Sequence, residues 1–261
     1  MAGAFQTEQH QFTSCGSFYK GEMRRRIKGI LKKNALLPNQ SGSGLAAQSS
    51  VSDTQSLVSL QLSVNSSRLA GRREVMERHG YGINKWLSGA VYQGEWLSNM
   101  THGKGIFWHA GGDIYIGEFM EDTAHGFGVY IHSNGSRYEG EWIQDVQEGQ
   151  GEEIWEDGAR YIGAYKNGMK HGYGIYTWPD KSVFQGEWKE NMITGRGRYQ
   201  WGDGRVFVGH WLENDMHGKG LYTWPDGRSY EGSFFKDKKH GFGIYKYQDG
   251  TIYKGSIEDG L

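Results

Sequence analysis

Six histidines, His79, His102, His125, His171, His217 and His240, share one slot of a 23-residue period, and a column of imidazoles suggests a metal ladder. If each repeat is a two-stranded hairpin, neighbouring histidines stand about 9–10 Å apart, while zinc ligands lie within about 2 Å of one ion. That spacing favours histidines that serve turns, and no metal is expected. Glu95, Glu118, Glu141 and Glu187 form a second column that resembles paired catalytic carboxylates. The separation inverting glycosidases use, about 6.5–9.5 Å, is within reach, but a catalytic pair needs unequal environments and a repeat supplies equal ones. Solvated or turn-capping acids are expected instead. His-Gly-x-Gly blocks such as His102-Gly103-Lys104-Gly105 resemble phosphate cradles, yet no Lys-Ser/Thr follows and no helix opens there. Cys15 lies in a polar segment without an activating neighbour. No catalytic residue and no cofactor are expected, and the chain reads as non-enzymatic.

The elements that carry these residues follow from the period itself. Tyr92, Tyr115, Tyr138, Tyr161, Phe184, Phe207, Tyr230 and Tyr253 recur every 23 residues. Two places on stand Gly94, Gly117, Gly140, Gly163 and their successors, and two further on Trp96, Trp142, Trp188 and Trp211. Alternation of ring, glycine and ring puts both rings on one face of a strand. The next block, from His102 or His125, ends in a second alternating run such as Gly174-Tyr176-Trp178. Asp157-Gly158, Asp203-Gly204 and Asp226-Gly227 then mark hairpin turns, read as type I′. With 42 Gly and 3 Pro in 261 residues, helices are disfavoured, because each interior glycine costs about 1 kcal/mol. The expected fold is all-β: an elongated single-sheet ribbon or solenoid of 23-residue hairpins, stabilised by stacking neighbours, with a mostly irregular N-terminal extension. Residues 69–91 read as a degenerate unit, 92–252 as seven full units and 253–261 as a truncated one.

Tyr-x-Gly-x-Trp followed by His-Gly-x-Gly at this period resembles the MORN (membrane occupation and recognition nexus) repeat. The clearest match is Tyr230-Glu231-Gly232-Ser233-Phe234 with His240-Gly241-Phe242-Gly243. Departures are Glu148 and Thr194 at the histidine slot, and Ala164, His210, Ser233 and Ser256 where Glu is usual. The resemblance implies assembly, docking or lipid contact, with any catalytic domain lying outside the repeats. It points first to a protein-binding scaffold in a cytoskeletal or ciliary (axonemal) assembly. A peripheral membrane adaptor for anionic phospholipids or phosphoinositides is the alternative, as is a regulatory partner of a phosphatidylinositol phosphate kinase. The implied location is cytoplasmic, at the cytoskeleton or cilium or the inner face of a membrane.

The N-terminal 70 residues differ in kind, with 8 Lys and Arg against 3 Asp and Glu, leaving a net of −6 on the rest. Residues 1–37 hold the basic segment, in which Lys20, Arg24, Arg25, Arg26, Lys28, Lys32 and Lys33 alternate with apolar anchors. Such a stretch suits anionic lipid, an acidic partner, the acidic repeats of the same chain, or plain solvation. Tyr19-Lys20-Gly21-Glu22 imitates a repeat start, but lies 73 residues before Tyr92 and is either a stray unit or a coincidence. Residues 38–68 read as a Ser/Gly-rich linker, with a short apolar run at 57–64 that suits a strand or a helix equally. No apolar run reaches the roughly 18–20 residues of a membrane span, and no signal-peptide core opens the chain. Nucleic acid is not an expected partner, because the aromatic region lacks a positive groove. An open strand edge near Tyr253 makes a homodimer through the C-terminal repeat the remaining expectation.

Overall fold

The computed structural model describes residues 7–11, 17–28 and 73–257. Cys15, Lys32, Lys33, the 38–68 linker with its apolar run, and the last residues of the truncated unit lie outside the described residues. Every described element is a strand, and the strands form two compact units. The first unit holds β1 (Thr7–Gln11), β2 (Phe18–Lys28), β3 (Arg73–Lys85), β4 (Val91–Leu97) and β5 (Met100–Trp108). They pair antiparallel in chain order. The second unit holds β6 (Ile114–Met120) up to Phe119, β7 (Thr123–Ile131), β8 (Arg137–Ile143), β9 (Val146–Ile154), β10 (Arg160–Lys166), β11 (Met169–Thr177) and β12 (Val183–Lys189). It continues with β13 (Met192–Gln200), β14 (Val206–Leu212), β15 (Asp215–Thr223), β16 (Ser229–Phe235), β17 (Lys238–Lys246) and β18 (Ile252–Ile257). From β7 to β18 each strand again pairs antiparallel with its successor.

The core of each unit is a single row of rings lying on glycine. Gly94 faces Gly105, and a Cβ built on either would stand 2.5 Å from Tyr92 Oη, so only glycine lets the ring lie flat there. The Tyr92 hydroxyl donates to the Glu95 carbonyl at 2.9 Å, and Tyr161 does the same to Ala164 at 3.0 Å. The ring two places on packs edge to face, Tyr92 on Trp96 at 5.0 Å and Tyr138 on Trp142 at 5.1 Å. Trp96 and Trp142 donate their indole N–H to carbonyls of the preceding repeat, Gly82 at 3.2 Å and Gly128 at 3.1 Å. Tyr92, Tyr161, Phe184, Phe207 and Tyr230 are all fully buried. Most of the buried apolar surface is therefore aromatic, and its polar tips are satisfied by backbone carbonyls.

The turns depart from expectation. Gly158 N donates to Trp155 O at 2.9 Å, and Gly158 alone has a positive φ, 84°, while Asp157 does not. This is a type I turn closed by a left-handed glycine, not a type I′ turn. Two-residue type I′ turns do occur, in the other hairpin of each repeat, where Glu190 and Asn191 take φ 51° and 67°, and Glu213 and Asn214 take 50° and 75°.

The N-terminal segment departs from expectation as well. β2 is strand, not irregular extension, and pairs with β3 so that Gly21 faces Gly82. Tyr19 is fully buried, donates to Glu22 O at 2.9 Å and meets Trp96 at 5.6 Å. Tyr19-Lys20-Gly21-Glu22 is thus the first strand of a true repeat, and β3 supplies its second. The array opens at Phe18 where sequence reading placed its start at residue 69, because a 50-residue insertion, the difference between 73 and 23, splits this repeat.

Candidate binding face

The glutamate and histidine columns stand opposite each other in the hairpins, Glu95 across from His102 and Glu141 across from Glu148. Each glutamate accepts the backbone N–H of the bulge beside it: Glu95 from Lys104 at 3.1 Å, Glu141 from Gln150 at 2.9 Å, Glu187 from Arg196 at 3.1 Å. The bulge needs the left-handed glycine of His-Gly-x-Gly, for example Gly103 at φ 58°. The glutamate column therefore serves the hairpin, whereas Nδ1 of His79, His102 and His125 is buried without a hydrogen-bond partner among the described residues. Among the described residues no three potential metal ligands come together, and no helix is long and apolar enough to cross a membrane.

Of the basic segment, Lys20, Arg24 and Arg25 are exposed on β2, opposite Ile83, Glu77 and Met76. The backbones of Arg26 and Lys28 continue the same strand.

A second aromatic row, in the second unit, lies beside the buried one and is for the most part half-buried, with Tyr222 buried and Tyr247 exposed. It runs Trp155, Tyr176, Trp178, Tyr199, Trp201, Tyr222, Trp224, Tyr245, Tyr247, with successive centroids 4.5–5.7 Å apart. The tyrosines lie near the end of a repeat's second strand and the tryptophans open the type I turn, which is why a Tyr–Trp pair recurs in three successive repeats, at 176/178, 199/201 and 222/224. Trp188, Ile193 and Trp211 form the floor of a groove beside this row, and Asn191 and Asn214 line its other wall.

Cations lie on these rings. Lys170 Nζ sits 4.7 Å from the Trp155 centroid and 5.4 Å from that of Tyr161, with the Glu153 carboxylate 3.9 Å away. Burial lowers its pKa, and Glu153 partly offsets that. Lys239 Nζ sits 4.8 Å from Trp224 and 5.2 Å from Tyr245, and burial followed by the Arg228 charge lowers its pKa. In the first unit the Arg78 guanidinium lies 4.1 Å over Trp96. Sequence reading missed these three cations and the second row. The signal for the row is the recurring Tyr-x-Trp of Tyr176-Thr177-Trp178, Tyr199-Gln200-Trp201 and Tyr222-Thr223-Trp224, which by itself indicates only strand alternation.

Fold and face together define an all-β hairpin-repeat protein with an exposed aromatic surface. The chain belongs to the MORN repeat family, whose model matches residues 92–114, 115–137, 138–160, 161–183, 184–204, 207–227 and 230–252. No curated protein sequence matches it significantly. Among solved structures it is similar to the TCP10 domain of Danio rerio CPAP in complex with a STIL peptide, at 13% identity and TM-score 0.39, covering 71% of this chain and 89% of that one. It is also similar to the Drosophila melanogaster SAS-4 (dCPAP) TCP domain in complex with a proline-rich motif of Ana2, at 14% identity and TM-score 0.36, covering 66% and 96%. Virginiamycin B lyase from Staphylococcus aureus aligns at 13% identity and TM-score 0.15, covering 67% and 54%. Superpositions this loose carry no functional argument.

Proposed function

We propose that this chain is a non-catalytic scaffold whose half-exposed Tyr–Trp row docks partner proteins in a cytoplasmic cytoskeletal or ciliary assembly. The row itself supports the reading most directly, because rings left half in solvent retain apolar area for a partner to cover. Tyr and Trp are also the residues that dominate binding hot spots. Affinity capture from the native cell tests it, comparing the natural chain with a Trp178→Ala, Trp201→Ala double variant. Loss of specific partners, with near-UV circular dichroism otherwise retained, is expected. Partner sets identical for the two chains would remove the reading.

A second reading, peripheral attachment to anionic phospholipid, draws support from the exposed side chains of Lys20, Arg24 and Arg25. Each basic residue near such a surface contributes about 1 kcal/mol. Neutralising Arg24, Arg25 and Arg26 to Gln is expected to abolish sedimentation with phosphoinositide vesicles at low salt. Unchanged sedimentation would exclude this strand as the lipid contact.

A further inference from the structure

We infer that the Tyr–Trp face from Lys170 to Lys239, grooved between Lys170 and Asn214, accepts a proline-rich segment in the polyproline II conformation, about nine residues long, with an acidic residue at the end that meets Lys239. This rests on the reading of the Tyr–Trp row as a docking face and names the ligand class.

Spacing selects this conformation. Each repeat contributes two strands about 4.8 Å apart, so equivalent side chains recur about every 9.6 Å. A polyproline II helix rises about 3.1 Å per residue with three residues per turn, presenting the same face about every 9.3 Å. An extended β-strand presents one face about every 6.8 Å, and an α-helix turns every 5.4 Å or so, and neither keeps step. Between Lys170 and Lys239 lie 69 residues, three repeats. That is about 29 Å, or roughly nine polyproline II residues, over which the mismatch stays near 1 Å.

Polarity selects proline. The buried-row indoles, such as Trp188 and Trp211, donate to carbonyls of the chain. The indole N–H of Trp178 and Trp201 makes no hydrogen bond within the described residues. Asn191 and Asn214 use Oδ1 to accept the backbone N–H of Lys170 and Ile193, both at 2.8 Å, which leaves their Nδ2 donors unpaired. The two central repeats thus offer an amide donor each, at Asn191 and Asn214, and an indole donor each, at Trp178 and Trp201, while Gly168 and Asp237 hold the amide slot at the two ends. Proline carries a carbonyl and no N–H, so a proline-rich backbone is acceptor-only and apolar, the complement of that surface.

Charge distinguishes the two ends. Lys170 has Glu153 beside it, whereas no carboxylate approaches Lys239 among the described ion pairs, its neighbour Arg228 being itself paired with Asp226 at 2.8 Å. A ligand carboxylate at that end completes the pair, and a ligand lysine is repelled.

The test uses the full chain and four synthetic ten-residue probes: proline peptides ending in Glu or in Lys, and Gly-Ser peptides with the same ends. Calorimetry and tryptophan fluorescence are the readouts. The expected result is saturable binding of the Glu-ended proline peptide at least tenfold tighter than any other probe. Lys239→Met should abolish the preference for Glu over Lys. N191D/N214D should weaken binding at least tenfold without altering thermal unfolding, because Asp145 and Asp237 already hold the same turn through the same bond. Equal binding of proline and Gly-Ser peptides, or indifference to N191D/N214D, overturns the inference. If no proline peptide binds while partner capture still depends on Trp178 and Trp201, the ligand class is wrong and the docking face stands. If capture is also independent of those residues, the docking face itself fails.

Discussion

A ring laid flat on a glycine pair is the smallest unit that this fold repeats, and its tolerance is correspondingly small. A Cβ on Gly105 would stand 2.5 Å from Tyr92 Oη and 2.6 Å from Cε2, atoms already held by backbone and neighbouring rings. Gly105→Ala is therefore expected to cost about 2–3 kcal/mol in urea unfolding, the scale of an overpacked core. Gly111→Ala meets nothing within 4 Å and has no positive φ, so a change within about 0.5 kcal/mol is expected. Similar losses at both sites would show that the Tyr92 contact does not set the cost. The same burial acts on the phenols. It pushes the Tyr19 hydroxyl up to about 12, and Tyr92, Tyr115, Tyr138 and Tyr161 are raised by burial too. A raised native pKa means that the folded chain holds protons the unfolded chain has released. Stability is then complete below about pH 10, the unfolded value, and is lost as pH rises toward the native values. Absorbance of these tyrosinates is expected to appear together with unfolding; full ionisation near pH 10 in a folded chain would contradict it.

The hairpin is the element at which sequence and structure part company most usefully. Asp-Gly between alternating runs signals a turn at the right place, but the glycine sits one position later than a type I′ turn requires, as Gly158 shows. The true type I′ turns carry Glu, Gln, Ser, Lys or Asn at their first place and, Gly168 apart, are marked only by Asn or Asp at the second. Those second residues have a further use that no local motif reveals. Asp145 Oδ1 accepts Ala124 N at 2.7 Å, and Asn191 and Asn214 repeat the bond, fixing each turn to the strand of the previous repeat. Legibility stops where a residue's partner is 21 positions away. Gly168 is the exception. It keeps the fold of the turn, with φ 74° and its N–H on Gln147 O at 2.9 Å, but has no side chain to complete the staple. A Cβ there meets only Val146 Cγ1 at 3.8 Å. Gly168→Asn is accordingly expected to stabilise by about 1 kcal/mol, one hydrogen bond together with a less flexible unfolded chain. The measurement is the thermal midpoint, which should rise by about 2–4 °C. A fall would mean that left-handed strain on Asn outweighs the bond.

For the whole molecule, the register joins segments that the period keeps apart. From Tyr92 to Tyr253 the 23-residue spacing never slips, so hairpins, ring row and glycine pairs are legible in that stretch. The first repeat is not, because four residues matching a motif 73 positions off carry no weight alone. Pairing restores it, with Tyr19 lying over Gly21 and Gly82 as Tyr92 lies over Gly94 and Gly105. The basic segment looks separate from the repeats for the same reason, yet its exposed lysine and arginines stand on a paired strand. Residues 29–72, 44 in number, join Lys28 to Arg73, which are opposite one another in the ladder. Other repeats close this hairpin with two residues, such as Glu190 and Asn191. Closure entropy grows with the logarithm of length, so shortening the connection to about four residues lowers its cost by about 2 kcal/mol. Replacing 29–72 by a four-residue turn containing Asn-Gly is expected to raise the unfolding free energy by roughly that amount, with the Tyr19–Trp96 contact and its near-UV signal kept. Denaturant titration of the shortened and natural chains decides it. A less stable shortened chain would mean that the insertion contributes contacts worth more than its own closure, and would make it part of the first repeat's core.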